Sequence, residues 1–219
     1  MIHILYRHTS NSAGIGKNRP HWFSYDKSLN NILETIKNNK SIKFHLLFDG
    51  TSNISHPNID HIENFTGGSD QASFNYAWNY AINLPLQNND LIYFLENDYM
   101  HSKDWSSKII ELYTIYNNGY TTLYDHPDKY GIGYQYLRPQ LIVTSSHHWR
   151  TTPSTCGSFI VDKQTLIEDH DIHTTMPGDH EKFLWLGKNR NRILLSPIPS
   201  LSTHCEVEHF APVIDWSLI

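Results

Sequence analysis

The chain has 219 residues, enough for one sizeable domain and for two only if both are small. Its formal charge of −5 excludes a strongly basic nucleic-acid binder, and no run nears the ~20 apolar residues of a membrane span. The two cysteines make no disulfide framework and the first residues, Met1 to Arg7, are too polar for a signal peptide, so a soluble cytoplasmic protein is expected.

The elements are expected in this order. Ile2 to Tyr6 is an apolar run that reads as a strand, followed by a polar, glycine-bearing loop from Thr9 to Pro20. Leu29, Ile32, Leu33 and Ile36 recur at helical spacing. Ile42 to Phe48 reads as a strand ended by Asp49-Gly50, and His61 to Phe65 as a shorter one. Gly67-Gly68-Ser69-Asp70 is a turn fit to cap the next helix, whose face is Phe74, Ala77, Trp78, Ala81 and Leu84. Leu91 to Leu95 is apolar at every position, as a central strand covered on both faces should be. Ser102 is placed to cap a helix bearing Trp105, Ile109, Leu112, Tyr113 and Tyr116.

These β-α cycles predict a mostly parallel sheet with helices on both faces over about residues 1–125. The second part, about 126–219, is more irregular. Strands are expected at Leu141 to Thr144, Ser158 to Val161 and Ile193 to Leu195, with a helix opened by Pro177-Gly178-Asp179. The tail after Pro199 has no clear period.

The chemistry centres on Glu96-Asn97-Asp98. In open α/β sheets ligands bind at the carboxyl ends of the strands, where this triplet falls. Residues i and i+2 of an extended segment point to one side, so Glu96 and Asp98 are placed to serve one cation, or one cation and a ribose. Hard divalent ions such as Mg²⁺ and Mn²⁺ take oxygen ligands and bridge phosphates. A solvated acidic turn would share the pattern; position favours a site. Gly14-Ile15-Gly16-Lys17 is not a P-loop, because its spacing is wrong and no Ser or Thr follows the lysine. Among the fifteen histidines, the His147/His148, His170/His173 and His204/His209 pairs lack a zinc signature.

At this point the sequence resembles the GT-A class of glycosyltransferases, in particular small single-domain members such as those of large viruses. The resemblance implies one Rossmann-like α/β domain over residues 1–219, with a small antiparallel acceptor-side element. Glu96-Asn97-Asp98 stands at the place of a D-x-D-type motif, with Glu in place of the first Asp. By this resemblance Asp98 binds Mn²⁺ or Mg²⁺, Glu96 reaches the metal or the ribose, and His204, after the last strand, completes the metal site. Imidazole with carboxylate oxygens suits Mn²⁺ better than Mg²⁺. Asp179 and Glu181 are both candidates for the general base of an inverting transfer, with Asp179 favoured, although acidic residues also suit a first helical turn. Tyr6, Arg7, Thr9, Asp49, Gly68 and Asp70 would flank the donor, a nucleotide-diphosphate sugar on UDP or GDP. His148 and Trp149 would line the site of a glycan or glycoprotein acceptor, with Trp149 as a stacking platform and Ser158 nearby. A virus-encoded protein of this kind would work in the host cytoplasm. Two competitors remain: a nucleotidyltransferase on a similar sheet, which usually carries a Gly- and Lys/Arg-rich loop after its first strand, and a nucleotide- or glycan-binding module without turnover.

Overall fold

The first strand, β1 (Ile2–Thr9), is buried over its first six residues and continues three residues past the apolar run. It belongs to a computed structural model that describes residues 1–9, 16–117, 119–176 and 178–219. Helix α1 (Tyr25–Thr35) starts where the Ser24 side chain accepts a hydrogen bond from the Lys27 amide. Then come β2 (Ile42–Asp49), β3 (His61–Phe65) and α2 (Asp70–Asn83), whose cap is Ser69, as the turn predicts. Strand β4 (Leu91–Glu96) carries Glu96 as its last residue. Strand β5 (Tyr99–His101) follows, and then α3 (Trp105–Ile115). This helix begins after Asp104 with no side-chain cap, so Ser102 does not cap it.

The later elements are β6 (Gly119–Thr121), β7 (Leu141–Val143), β8 (His148–Thr151), β9 (Phe159–Asp162), α4 (Lys163–Glu168), α5 (His170–Thr175), α6 (Asp179–Arg190), β10 (Ile193–Ile198) and β11 (Ser202–His204). Pro177, expected to open α6, lies outside the described residues, as do Gly14 and Ile15.

One sheet of nine strands runs in the order β3-β2-β1-β4-β9-β6-β10-β8-β7. The pairings leave β9 and β8 antiparallel to the other seven, so the sheet is mostly parallel. The second sheet is the antiparallel pair β11-β5.

Strand alternation splits the core in two. Leu91, Tyr93 and Leu95 of β4 pack on one face with Leu29, Ile32 and Leu33 of α1 and Trp105, Ile109 and Leu112 of α3. Ile92 and Phe94 pack on the other with Ala77 and Trp78 of α2, Leu166 of α4 and Phe183 and Leu186 of α6. Helices therefore cover both faces, which is why β4 is apolar from Leu91 to Leu95.

The expected acceptor platform at Trp149 is corrected. Its residue is 0% exposed and belongs to the core on the α1/α3 face, with its ring edge-on to His147. Strand pairing fixes this: Trp149 sits opposite Pro197 of β10 and Ile142 of β7, inside the sheet. An indole enclosed in this way has no face to offer a sugar. Its neighbour His148 points to the exposed side.

Candidate functional site

Strand β1 lies between β2 on one side and β4 on the other, all parallel. The chain leaves β1 toward β2 and leaves β4 toward β6, on opposite sides, which opens a crevice between their carboxyl ends. The β1–β4 register puts Arg7 beside Glu96. The chain then turns through Asn97 and Asp98 into β5.

The small second sheet brings His204 to Asp98. Strand β11 pairs His204 with Tyr99, and the Cys205 amide donates to the Asp98 carbonyl at 2.8 Å. Asp98 and His204 are consequently in contact, with His204 Nε2 3.0 Å from Asp98 Oδ2. The same oxygen accepts from Lys17 Nζ at 3.1 Å and Arg19 Nη2 at 2.7 Å. Asp98 is buried, and its other oxygen, Oδ1, has no partner among the described residues. Burial works to raise the Asp98 pKa, but His204, Lys17 and Arg19 outweigh it and hold the carboxyl well below the usual range.

Glu96 behaves oppositely. Burial, then the nearby charge of Asp98, pushes its pKa up against the pull of Arg7. The Arg7 guanidinium donates to Glu96 Oε1 at 2.5 Å and to Asp70 Oδ1 at 3.0 Å. It thus joins the ends of β1 and β4 to the start of α2. The Glu96 amide donates to the buried hydroxyl of Ser158 at 3.2 Å. A Cβ at Gly157 would meet Glu96 Oε1 at 2.5 Å, so this turn leaves room for the carboxylate only as glycine, at φ +83.

That turn is held by Asp179. The Asp179 carboxylate accepts from the Thr155 amide and hydroxyl, both at 2.6 Å, and from the Cys156 amide at 3.2 Å. Asp179 therefore reaches the Glu96 side of the crevice through residues 155–157. Glu181, in the same first turn of α6, is exposed, with its carboxylate against Gly178.

On the β2 side, Asp49 accepts from the amides of Gly67 and Gly68, at 2.9 and 3.0 Å, and from Ser73 Oγ at 3.1 Å. Burial opposes these bonds, yet they lower its pKa. The carboxylate so fixes the loop leading into α2, in which Gly68 has φ +76. Thr9 Oγ1 donates to the Asp49 carbonyl at 3.2 Å. The buried Tyr6 hydroxyl donates to the Asn97 carbonyl at 3.3 Å, and Asn97 Nδ2 lies 2.9 Å from His8 Nδ1. The His8 ring is edge-on to Phe48 at 5.3 Å and 6.2 Å from Tyr25, which gives the end of β1 an aromatic wall.

The residues fit a divalent ion. Asp98 Oδ1 is a buried acceptor without a donor among the described residues, which is costly in a dry site and suits a cation. His204 adds one imidazole nitrogen. On the other side of that ring, Glu206 Oε2 lies 3.7 Å from His204 Nδ1 and 3.3 Å from His209 Nδ1. His204, Glu206 and His209 form a metal-capable group among the described residues. A carboxylate behind a ligating histidine orients the ring and its tautomer.

No protein-family model matches the sequence, and no curated protein matches it at a significant level. Solved structures do match the fold. The mannosyltransferase PcManGT of Pyrobaculum calidifontis, in complex with GDP-Man and Mn²⁺, aligns with TM-score 0.58 at 12% identity over 90% of this chain and 54% of its own. TarS 1-349 of S. aureus aligns with TM-score 0.51 at 11% identity over 89% of this chain and 57% of its own. The fold is of the GT-A type. The chain spans little more than half the length of these two structures. The Francisella tularensis cytidylyltransferase IspD also aligns, with TM-score 0.47 at 11% identity over 97% of this chain and 94% of its own.

Within this GT-A-type fold, Asp98 and His204 touch, and Asp179 holds the 155–157 turn that lies against Glu96. Reading the sequence missed Lys17 and Arg19. The spacing that rules out a P-loop hid the simpler signal of two basic residues at i and i+2 after the first strand, the mirror of Glu96 and Asp98. Glu206 had no signal of its own.

Proposed function

We propose that the chain transfers a sugar from a nucleotide-diphosphate sugar to a hydroxyl of a glycan or glycoprotein, with a divalent ion on Asp98 and His204. What carries the reading is their 3.0 Å contact across 106 residues of sequence, at the switch point of a GT-A-type sheet, beside a buried Asp98 oxygen that lacks a donor among the described residues. Mn²⁺ suits this mixed oxygen and nitrogen set better than Mg²⁺. When bound, the ion offsets charge on the departing diphosphate.

The chain's own residues divide the remaining work. Arg7 holds Glu96 at the crevice, where its carboxylate is offered to the donor ribose or to the metal. Tyr6, Thr9, Asp49, Gly68, Asp70 and Asn97 shape the donor side, within about residues 1–125 of a single domain. Ser158 supports Glu96 from below, and the acceptor enters over the later part of the chain, on the side of His148. Asp179 takes the proton of the attacking hydroxyl, and a single displacement inverts the anomeric centre. Its three hydrogen bonds to Thr155 and Cys156 keep the carboxylate in one place, which favours it over the exposed Glu181.

The test is donor hydrolysis and sugar transfer, with and without Mn²⁺, in the wild type and Asp98→Ala. The expected result is metal-stimulated turnover that falls at least about 100-fold in the variant. Undiminished, metal-independent turnover in Asp98→Ala overturns the reading. A second reading, nucleotidyl transfer, is favoured by one observation: Lys17 and Arg19, in the loop after β1, both reach Asp98. Pyrophosphate release from a nucleoside triphosphate and a sugar phosphate would select it.

A further inference from the structure

Lys17 and Arg19 reach the same oxygen but are held differently. Arg19 is fixed. Its Nη1 donates to the Cys205 carbonyl at 2.7 Å, its guanidinium lies 4.9 Å from the Phe23 ring centre, and its side chain is only 16% exposed. The backbone between the two residues is fixed as well, since the Val207 amide donates to the Asn18 carbonyl at 2.8 Å. The Lys17 stem is not enclosed, and its side chain is 38% exposed. Among the described residues its ammonium is what is engaged, 3.1 Å from Asp98 Oδ2 and 3.4 Å from His204 Nε2.

With the 3.0 Å contact between Oδ2 and Nε2, these distances make a nearly equilateral triangle. A positive charge already bridges the two groups assigned to the metal. The ammonium donates to Asp98 Oδ2, the oxygen that also takes the His204 Nε2 proton, and its charge lies against the edge of the imidazole. A divalent ion and an ammonium cannot share this point, because both are cations seeking the same lone pairs.

We propose that Lys17 is a tethered cation that holds the metal position of the Asp98–His204 pair and yields it only when a donor diphosphate arrives. The released ammonium then pairs with a phosphate oxygen, so metal and nucleotide load together. This rests on the metal-dependent reading above. Arg19 stays on Asp98 throughout, and the exposed Lys17 stem is the part that moves.

The experiment measures Mn²⁺ binding by the whole chain, from the electron paramagnetic resonance signal of free Mn²⁺. It compares the wild type, Lys17→Met and Asp98→Asn, each alone and with UDP or GDP added. Lys17→Met is expected to bind Mn²⁺ at least tenfold more tightly than the wild type without nucleotide. Nucleotide is expected to tighten Mn²⁺ binding more in the wild type than in Lys17→Met, because coupling between two ligands is reciprocal and the lysine carries it. Thermal melts matched to the wild type show that the exposed substitution leaves the fold intact. Equal Mn²⁺ affinity in wild type and Lys17→Met, lost in Asp98→Asn, overturns the Lys17 proposal and leaves the metal site standing. No Mn²⁺ binding by any form, with or without nucleotide, overturns the metal reading and the proposal with it.

Discussion

One oxygen of Asp98 accepts from several groups while its twin accepts from none among the described residues, and the site turns on that imbalance. Three donors on Oδ2 account for the depressed pKa, and the bare Oδ1 gives a cation a reason to come. Asp98 and His204 were legible in the sequence because each follows a strand and the order of features is distinctive. Lys17 was not, since a basic residue in a polar loop has no pattern until the fold supplies its partner. Trp149 misled for a related reason. A tryptophan among Ser, His, Arg and Thr reads as a surface feature, yet alternation along β8 turns it inward. Trp149→Ala is expected to cost about 3–5 kcal/mol of folding stability, seen as a lower urea midpoint. An unchanged midpoint would return the indole to the surface.

At the level of elements, strands covered on both faces were easy to read, because burial gives them runs of apolar residues. Strands β1, β2 and β4 show this at Ile4 to Tyr6, Leu46 to Phe48 and Leu91 to Leu95. Strands β5, β6, β8 and β11 escaped notice because each is three or four residues long and holds Tyr, His, Thr, Ser or Gly rather than an apolar run. They matter nonetheless, since β5 and β11 carry His204 to Asp98. Helix ends divide in the same way. The start of α2 is local: Ser69 accepts from the Ala72 amide at 3.2 Å. Its far end is not. The Lys163 ammonium, from the start of α4, donates to the carbonyls of Ala81, Ile82 and Leu84 at 2.6, 2.7 and 3.2 Å. Burial lowers its pKa, while helix-end carbonyls welcome a cation. Lys163→Met is expected to cost about 2–3 kcal/mol and to speed amide hydrogen exchange around residue 84. Exchange there at the wild-type rate would show that the lysine does not cap the helix.

For the molecule as a whole, buried histidines set the acid limit. Burial first, then the neighbouring imidazoles His3 and His61, pushes His45 down to about 4, and burial pushes His101 down to about 3. In the unfolded chain both titrate near 6.5. Between these values the unfolded chain takes up protons that the folded chain refuses, so their stabilisation is complete above pH 6.5 and is lost as pH falls. Each removes up to about 1.4 kcal/mol per pH unit in that window. The urea midpoint is expected to fall steadily from pH 7 to pH 4.5, and less steeply in His101→Gln; a flat profile would rule this out.

The sheet order also dictates a sequence in time. Strand β4 has β1 on one flank and β9 on the other, and β6 lies between β9 and β10. Ribosomal synthesis delivers β4 long before Phe159 begins β9. Until then the most apolar strand of the nascent chain is an open edge, the kind of surface that chaperones cover. A chain interrupted near residue 125 would hold β6 with neither neighbour and β4 with one flank bare. The parts before and after about residue 125 are therefore not separable bodies: the later one must be made before the sheet of the earlier one can close.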